Sequence, residues 1–139
     1  MPITLQIITQ EKKLLEEQVD SLTVPTSEGE VTILPNHIPL FTKLQIGELI
    51  YRKDNKEVSV VVTDGFMDVG SHSKVTVMVD SAIRSADIDL LKAEEAKQRA
   101  EALMEEKVDQ RDFILAEAEL RKAMMQIRTY NKRKQSSGL

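Results

Sequence analysis

Side chains able to do acid, base or nucleophilic chemistry are few in this chain, and they are scattered. There are two histidines, His37 in a loop bracketed by Pro35 and Pro39 and His72 in the Gly70–Ser73 stretch. Neither has a sequence neighbour that completes a nucleophile dyad or a metal cluster. Cysteine is absent, which removes disulfides, thiol chemistry and thiolate metal sites together. No Gly-x-x-x-x-Gly-Lys segment is present to wrap a phosphate. The carboxylates fall mostly on turns and helix faces, where they need no catalytic role. Catalysis by this chain alone is therefore not expected, and no metal or obligatory cofactor is predicted. Function should lie in its surfaces.

The most informative surface segment is Ser27–Leu40. Gly29 is free to take a positive φ, Pro35 and Pro39 each fix φ near −65°, and Asn36 tolerates the left-handed region between them. Such a loop costs little entropy to hold in one shape, and it reads as a rigid presenting surface. Around it the chain shows period-two apolar patterning: Ile3, Leu5 and Ile7, then Val58, Val60 and Val62, then Val75, Val77 and Val79. Asp54-Asn55 and Gly70–Ser73 supply turn chemistry between strands. Many short strands of this kind predict a β-sandwich or flattened barrel. Ile8 and Val61 break the alternation, which predicts strands covered on both faces in places.

Every proline lies at or before Pro39, and every glycine except Gly138 lies at or before Gly70, so sheet should give way to helix. Ser85 and Asp87 are good N-cap residues, and a helical region of about 45 residues is expected from there. Ala93, Ala96, Ala100 and Leu103, and then Phe113, Ala116, Leu120, Ala123, Ile127 and Tyr130, recur at intervals of three and four, the rhythm of a heptad seam. Two helices, 88–107 and 111–133, would pack as an antiparallel hairpin, with Asp109 available to cap the second. A continuous helix of roughly 65–70 Å is also open to this stretch. An alanine seam buries little, so the hairpin should be marginal. Glu95 with Arg99 and Glu117 with Arg121 stand at i, i+4 and would support each helix locally.

The net charge of −4 is unevenly spread. From Leu120 onward there are six basic residues and no acidic one: Arg121, Lys122, Arg128, Lys132, Arg133 and Lys134. That exceeds what a helix dipole calls for and predicts a face for an acidic partner. Nucleic acid is not expected as that partner, because the rest of the chain is acidic and only Tyr130 is at hand for stacking. The longest apolar runs fall far short of the roughly 20 residues needed to cross a bilayer, and the N-terminus lacks a basic-then-apolar leader, so a soluble cytoplasmic chain is predicted.

Thr32-Ile-Leu-Pro-Asn-His37, Asp64-Gly-Phe-Met-Asp-Val69, Val75-Thr-Val77 and Ile88-Asp-Leu-Leu-Lys-Ala93 stand in an order and spacing that resemble the epsilon subunit of bacterial F-type ATP synthases, from about Ile3 to about Arg133. Thr32 and Asn36 occupy positions where that family usually has glycine. The resemblance implies an α+β chain: an antiparallel β-sandwich over 1–87 that docks on the rotor, then a helical regulatory hairpin over 88–139.

It also implies a non-catalytic central-stalk subunit of a proton-translocating synthase, peripheral on the cytoplasmic side of the bacterial plasma membrane. The expected partners are the gamma subunit, the ring of c subunits and the alpha/beta catalytic hexamer. Glu28, Glu30 and His37 would face the rotor, and the basic residues of the second helix would make an inhibitory contact that restrains ATP hydrolysis. Family members that bind regulatory ATP place it at positions corresponding to Ile88, Asp89, Lys92, Ala93, Arg99, Lys122 and Gln126. Lysine at 92 replaces arginine and lacks its planar fork, so weak or absent binding is expected. The alternative function is a stand-alone nucleotide-sensing module that closes its helices on ATP.

Overall fold

The computed structural model describes residues 2–106 and 108–136, which divide into two units, one ending at Arg84 and the other beginning at Ser85. In the first unit the described residues form ten strands: β1 (Ile3–Ile8), β2 (Lys13–Val19), β3 (Ser21–Thr26), β4 (Gly29–Ile33), β5 (Leu40–Leu44), β6 (Gly47–Lys53), β7 (Lys56–Val62), β8 (Gly65–Val69), β9 (Lys74–Val79) and β10 (Ala82–Arg84). They follow one hydrogen-bonded ladder in the order β10-β7-β6-β3-β5-β8-β9-β1-β2, with β4 paired to β3. The ladder closes into a β-sandwich.

Alternation explains the core. β1 buries Ile3, Leu5 and Ile7 completely, and β9 buries Val75, Val77 and Val79. These two strands run side by side in parallel, Leu5 opposite Val75 and Ile7 opposite Val77, whereas the other pairings are antiparallel. Leu22, Val24, Leu44, Leu49, Val60 and Met67 complete the same apolar cluster. At the end of β7, Val60, Val61 and Val62 are all buried, so that strand is covered on both faces. The ring of Tyr51 also belongs to the core, and its hydroxyl hydrogen-bonds Glu17. Burial first, then the charge and hydrogen bond of Glu17, push this phenol above its ordinary value of 10.0, while Arg84 pulls the other way.

Turn residues account for the register. Lys53 and Lys56 pair across the two-residue loop Asp54-Asn55, both at positive φ (53° and 65°), whose twist suits a hairpin. In the β8–β9 turn the left-handed residues are His72 and Ser73, at φ 62° and 57°, and not the neighbouring Gly70. Gly65 is required for a different reason: a Cβ there would strike the backbone of Met78 on the adjoining strand.

The second unit opens with a single 3-10 turn, Ser85–Asp87, followed by α1 (Leu90–Glu105) and α2 (Gln110–Ser136). The expectation that Ser85–Asp87 caps the helix is thus corrected. Asp89 is the N-cap: its backbone is extended (φ −94°, ψ 105°), and its carboxylate accepts from the Lys92 N–H at 3.2 Å. Glu106 is extended as well, which ends α1; an end at Lys107 lies outside the described residues. Asp109 caps α2 by accepting from the Asp112 N–H at 2.8 Å. Two caps so placed produce a hairpin and not one continuous helix.

The seam is made of alanine. Ala93, Ala100, Ala116 and Ala123 are buried, while Leu120, Ile127 and Tyr130 are half-buried. Leu103 and Phe113, expected at the seam, are exposed; both lie in the turns of helix flanking the loop, where a partner helix covers less. The two expected ion pairs do not form. Glu95, Arg99, Glu117 and Arg121 all stay solvated, and Lys97 meets Glu101 at 3.9 Å instead. Exposed i, i+4 pairs gain so little over hydration that neither arrangement is strongly held.

Candidate functional site

The presenting loop is built from hydrogen bonds as well as prolines. At its start Gly29 takes φ 112°, the Thr26 hydroxyl donates to the Gly29 carbonyl, and the Glu28 N–H donates to the same hydroxyl at 3.2 Å. This tight β3–β4 turn leaves Glu28 and Glu30 exposed. Thr32 is an ordinary strand residue, its hydroxyl 3.0 Å from that of Thr23 across the ladder, so the position needs no glycine. Asn36 takes the left-handed backbone at φ 65°, and its N–H donates to the Ser73 hydroxyl at 2.7 Å. The β8–β9 turn thereby tethers the β4–β5 loop. His37 is half-buried and hydrogen-bonds locally: its N–H donates to the Leu34 carbonyl at 3.2 Å, and Nδ1 lies 2.7 Å from the Ile38 carbonyl. This geometry gives His37 a loop-stiffening role.

Beside that loop the sandwich carries an apolar face that the strand pattern alone does not announce. Leu40 and Leu44 of β5 point inward, which turns Phe41 and Lys43 outward; likewise Met67 and Val69 of β8 turn Phe66 and Asp68 outward. Register sets Lys43 opposite Phe66, so Phe41 and Phe66 are diagonal neighbours, and their rings stack with centroids 5.5 Å apart at 19°. Met78 lies opposite Phe66 on β9. Phe41 remains 63% exposed and Phe66 45%, and Leu34 and Ile38 of the tethered loop are also exposed. Two of the chain's three phenylalanines thus face solvent together, outside the core, as an exposed apolar patch of the kind that serves interaction.

The helical unit separates the seven candidate nucleotide residues into two groups. Ile88 and Ala93 are buried, and Asp89 already spends its carboxylate on the N-cap. Lys92 and Arg99 are exposed and, being seven residues apart, share one edge of α1; Lys122 and Gln126 are half-buried four residues apart on α2. A cleft of about 280 Å³ between the helices includes Arg99 and Glu119, with Ala96, Leu103 and Leu115 among its apolar lining. On another part of the hairpin, Lys97 of α1 joins Arg128 and Lys132 of α2 around Met124 and Ile127. Arg121, Arg133 and Lys134 are exposed. Among the described residues no group of three or more His, Cys, Asp or Glu could hold a metal ion, and no helix is long and apolar enough to cross a membrane.

Comparisons with known proteins match both units. Residues 2–85 match the family model described as the beta-sandwich domain of the ATP synthase delta/epsilon chain, and residues 86–131 match its long alpha-helix domain. The chain is 41% identical over 127 residues to the ATP synthase epsilon chain of Herpetosiphon aurantiacus, covering 91% of this chain and 93% of that one. To the epsilon chain of Chloroflexus aggregans it is 43% identical over 128 residues, covering 92% and 91%. Among solved structures it superposes with a TM-score of 0.76 and 26% identity on a chain of the Euglena gracilis mitochondrial ATP synthase, in its OSCP/F1/c-ring assembly, covering 88% of this chain and 78% of that chain.

Proposed function

The chain belongs to the ATP synthase delta/epsilon family, as an epsilon chain, and on that premise we propose that it couples the rotating c-ring to the gamma subunit and restrains ATP hydrolysis through its helices. It is a non-catalytic subunit of the synthase, held at the cytoplasmic side of the membrane through the complex. The observation that carries this reading is the pairing of two unlike units: a rigid sandwich with one exposed aromatic face, and a helical hairpin with an alanine seam and a cationic end. The first suits permanent docking. The second suits reversible engagement.

In this reading Phe41, Phe66 and Met78 meet the gamma subunit, while Glu28, Glu30 and the loop stiffened by His37 face the c-ring. Arg121, Lys122, Arg128, Lys132, Arg133 and Lys134 engage acidic surface of the alpha/beta hexamer when the helices leave the hairpin. Regulatory ATP binds weakly. Asp89 is committed to its cap, and Lys92 brings charge without a fork to the edge of α1 that also carries Arg99, while Lys122 and Gln126 stand on α2.

The test compares ATP hydrolysis by the synthase containing the full chain with that of the same complex containing the chain truncated after Asp87. A rise on truncation is expected. Unchanged hydrolysis, with rotor assembly intact, would remove the inhibitory half of the reading.

A further inference from the structure

The buried positions of the helical unit are apolar with few exceptions, and one of those exceptions is unsatisfied. Thr129 of α2 is 1% exposed, and its hydroxyl Oγ1 has no hydrogen-bond partner. A helical threonine ordinarily returns its hydroxyl to the carbonyl three or four residues earlier, or turns it to water. Thr129 does neither, and α2 as a whole packs against α1 and the Ser85–Asp87 turn within its unit. The side chain has therefore lost its hydration on folding and gained no bond in exchange. Thr129 stands beside Tyr130 and two residues from Ile127, in the stretch of α2 whose basic residues are assigned to the inhibitory contact.

We propose that this buried, unpartnered hydroxyl is a weak point built into the folded hairpin, so that Thr129 sets how readily the helices open. Opening returns the hydroxyl to water, whereas closing strips it again. A group that is worse off in only one of two states shifts their ratio by that difference. For a hydroxyl left without a partner the shift is roughly tenfold or more toward the open form. The alanine seam supplies little to oppose it. The functional consequence rests on the inhibitory reading above; the energetic claim does not.

Amide hydrogen exchange of the full chain tests the energetic claim. Thr129→Val keeps the shape and removes the hydroxyl, and is expected to slow exchange of the α2 amides about tenfold. Thr129→Ser keeps the hydroxyl and loses a methyl group, and is expected not to slow it. Exchange in the Val variant as fast as in the natural chain, or faster, overturns the proposal. Synthase assembled with the Val variant separates the two ideas: a rise in ATP hydrolysis supports both, while slowed exchange with unchanged hydrolysis keeps the weak point and removes the inhibitory reading.

Discussion

Replacing Phe41 by alanine should detach the chain from the gamma subunit without unfolding it. A phenylalanine side chain covers about 200 Å² when fully buried, and Phe41 is 63% exposed, so docking can still remove on the order of 130 Å² of its apolar surface from water. At about 25 cal/mol per Å² that surface contributes roughly 3 kcal/mol, of which alanine retains a small part. The expected loss of 2–3 kcal/mol corresponds to about 30- to 150-fold weaker association, the size of an interface hot spot. The fold should lose no more than the ring stack with Phe66, about 0.5–1.5 kcal/mol.

The assay is equilibrium association of the full chain with the gamma–c-ring assembly, alongside the thermal midpoint of the free chain. Phe113→Ala serves as a control, because Phe113 is an exposed phenylalanine of the helical unit, outside this face. Association weakened less than threefold by Phe41→Ala, with the fold intact, would show that the aromatic pair is not the docking centre. Equal loss in the Phe113 variant would show that exposed apolar surface in general, and not this face, drives association.

Charge reversal at Arg121, Lys122 and Arg128 should raise ATP hydrolysis to the level of the truncated form while leaving the melting of the sandwich unchanged; persistent inhibition would place the contact elsewhere. Calorimetry of the free chain with ATP should show binding no tighter than about 1 mM, roughly 4 kcal/mol, and Lys92→Arg should tighten it about tenfold by restoring a bidentate fork; micromolar binding by the natural chain would refute the weak-site assignment. Tyr51 holds its proton in the folded state over a pH interval in which the unfolded chain has lost it, because its folded value is raised above 10.0. Its contribution is therefore complete below pH 10 and is lost as pH climbs above that through the folded value, a slope that Tyr51→Phe should abolish in alkaline denaturation curves.

Local backbone chemistry was readable from the residues themselves. Gly29, Asn36 and the Asp54-Asn55 turn adopt the positive φ values that their types favour, and the alternating valines and isoleucines bury the faces that their period requires. Asp109 was visible as a cap; Asp89 was not, because Ser85 and Asp87 offer equally good cap chemistry, and only the extended backbone at 89 decides between them. The aromatic face is not legible in the sequence for a different reason. Phe41 and Phe66 are 25 positions apart (66 − 41), and they become neighbours only through the register that sets Lys43 opposite Phe66. An outward-phased phenylalanine between Leu40 and Leu44 was the one sequence signal that pointed there.

The two units follow opposite energetic rules, a contrast that suits the regulatory role proposed above for a docking subunit. Each buried isoleucine or leucine of the sandwich contributes about 1.5–3 kcal/mol, and Ile3, Leu5, Ile7, Leu22, Ile33, Leu44 and Leu49 are all at 0–1% exposure. The helical seam closes on Ala93, Ala100, Ala116 and Ala123, each a single methyl group of about 0.8 kcal/mol. A change of one or two kcal/mol, such as an acidic partner or one unpaired hydroxyl supplies, is trivial against the first total and comparable with a single pair of contacts in the second. In the proposed function, the sandwich would thus stay docked through every rotation while the hairpin responds.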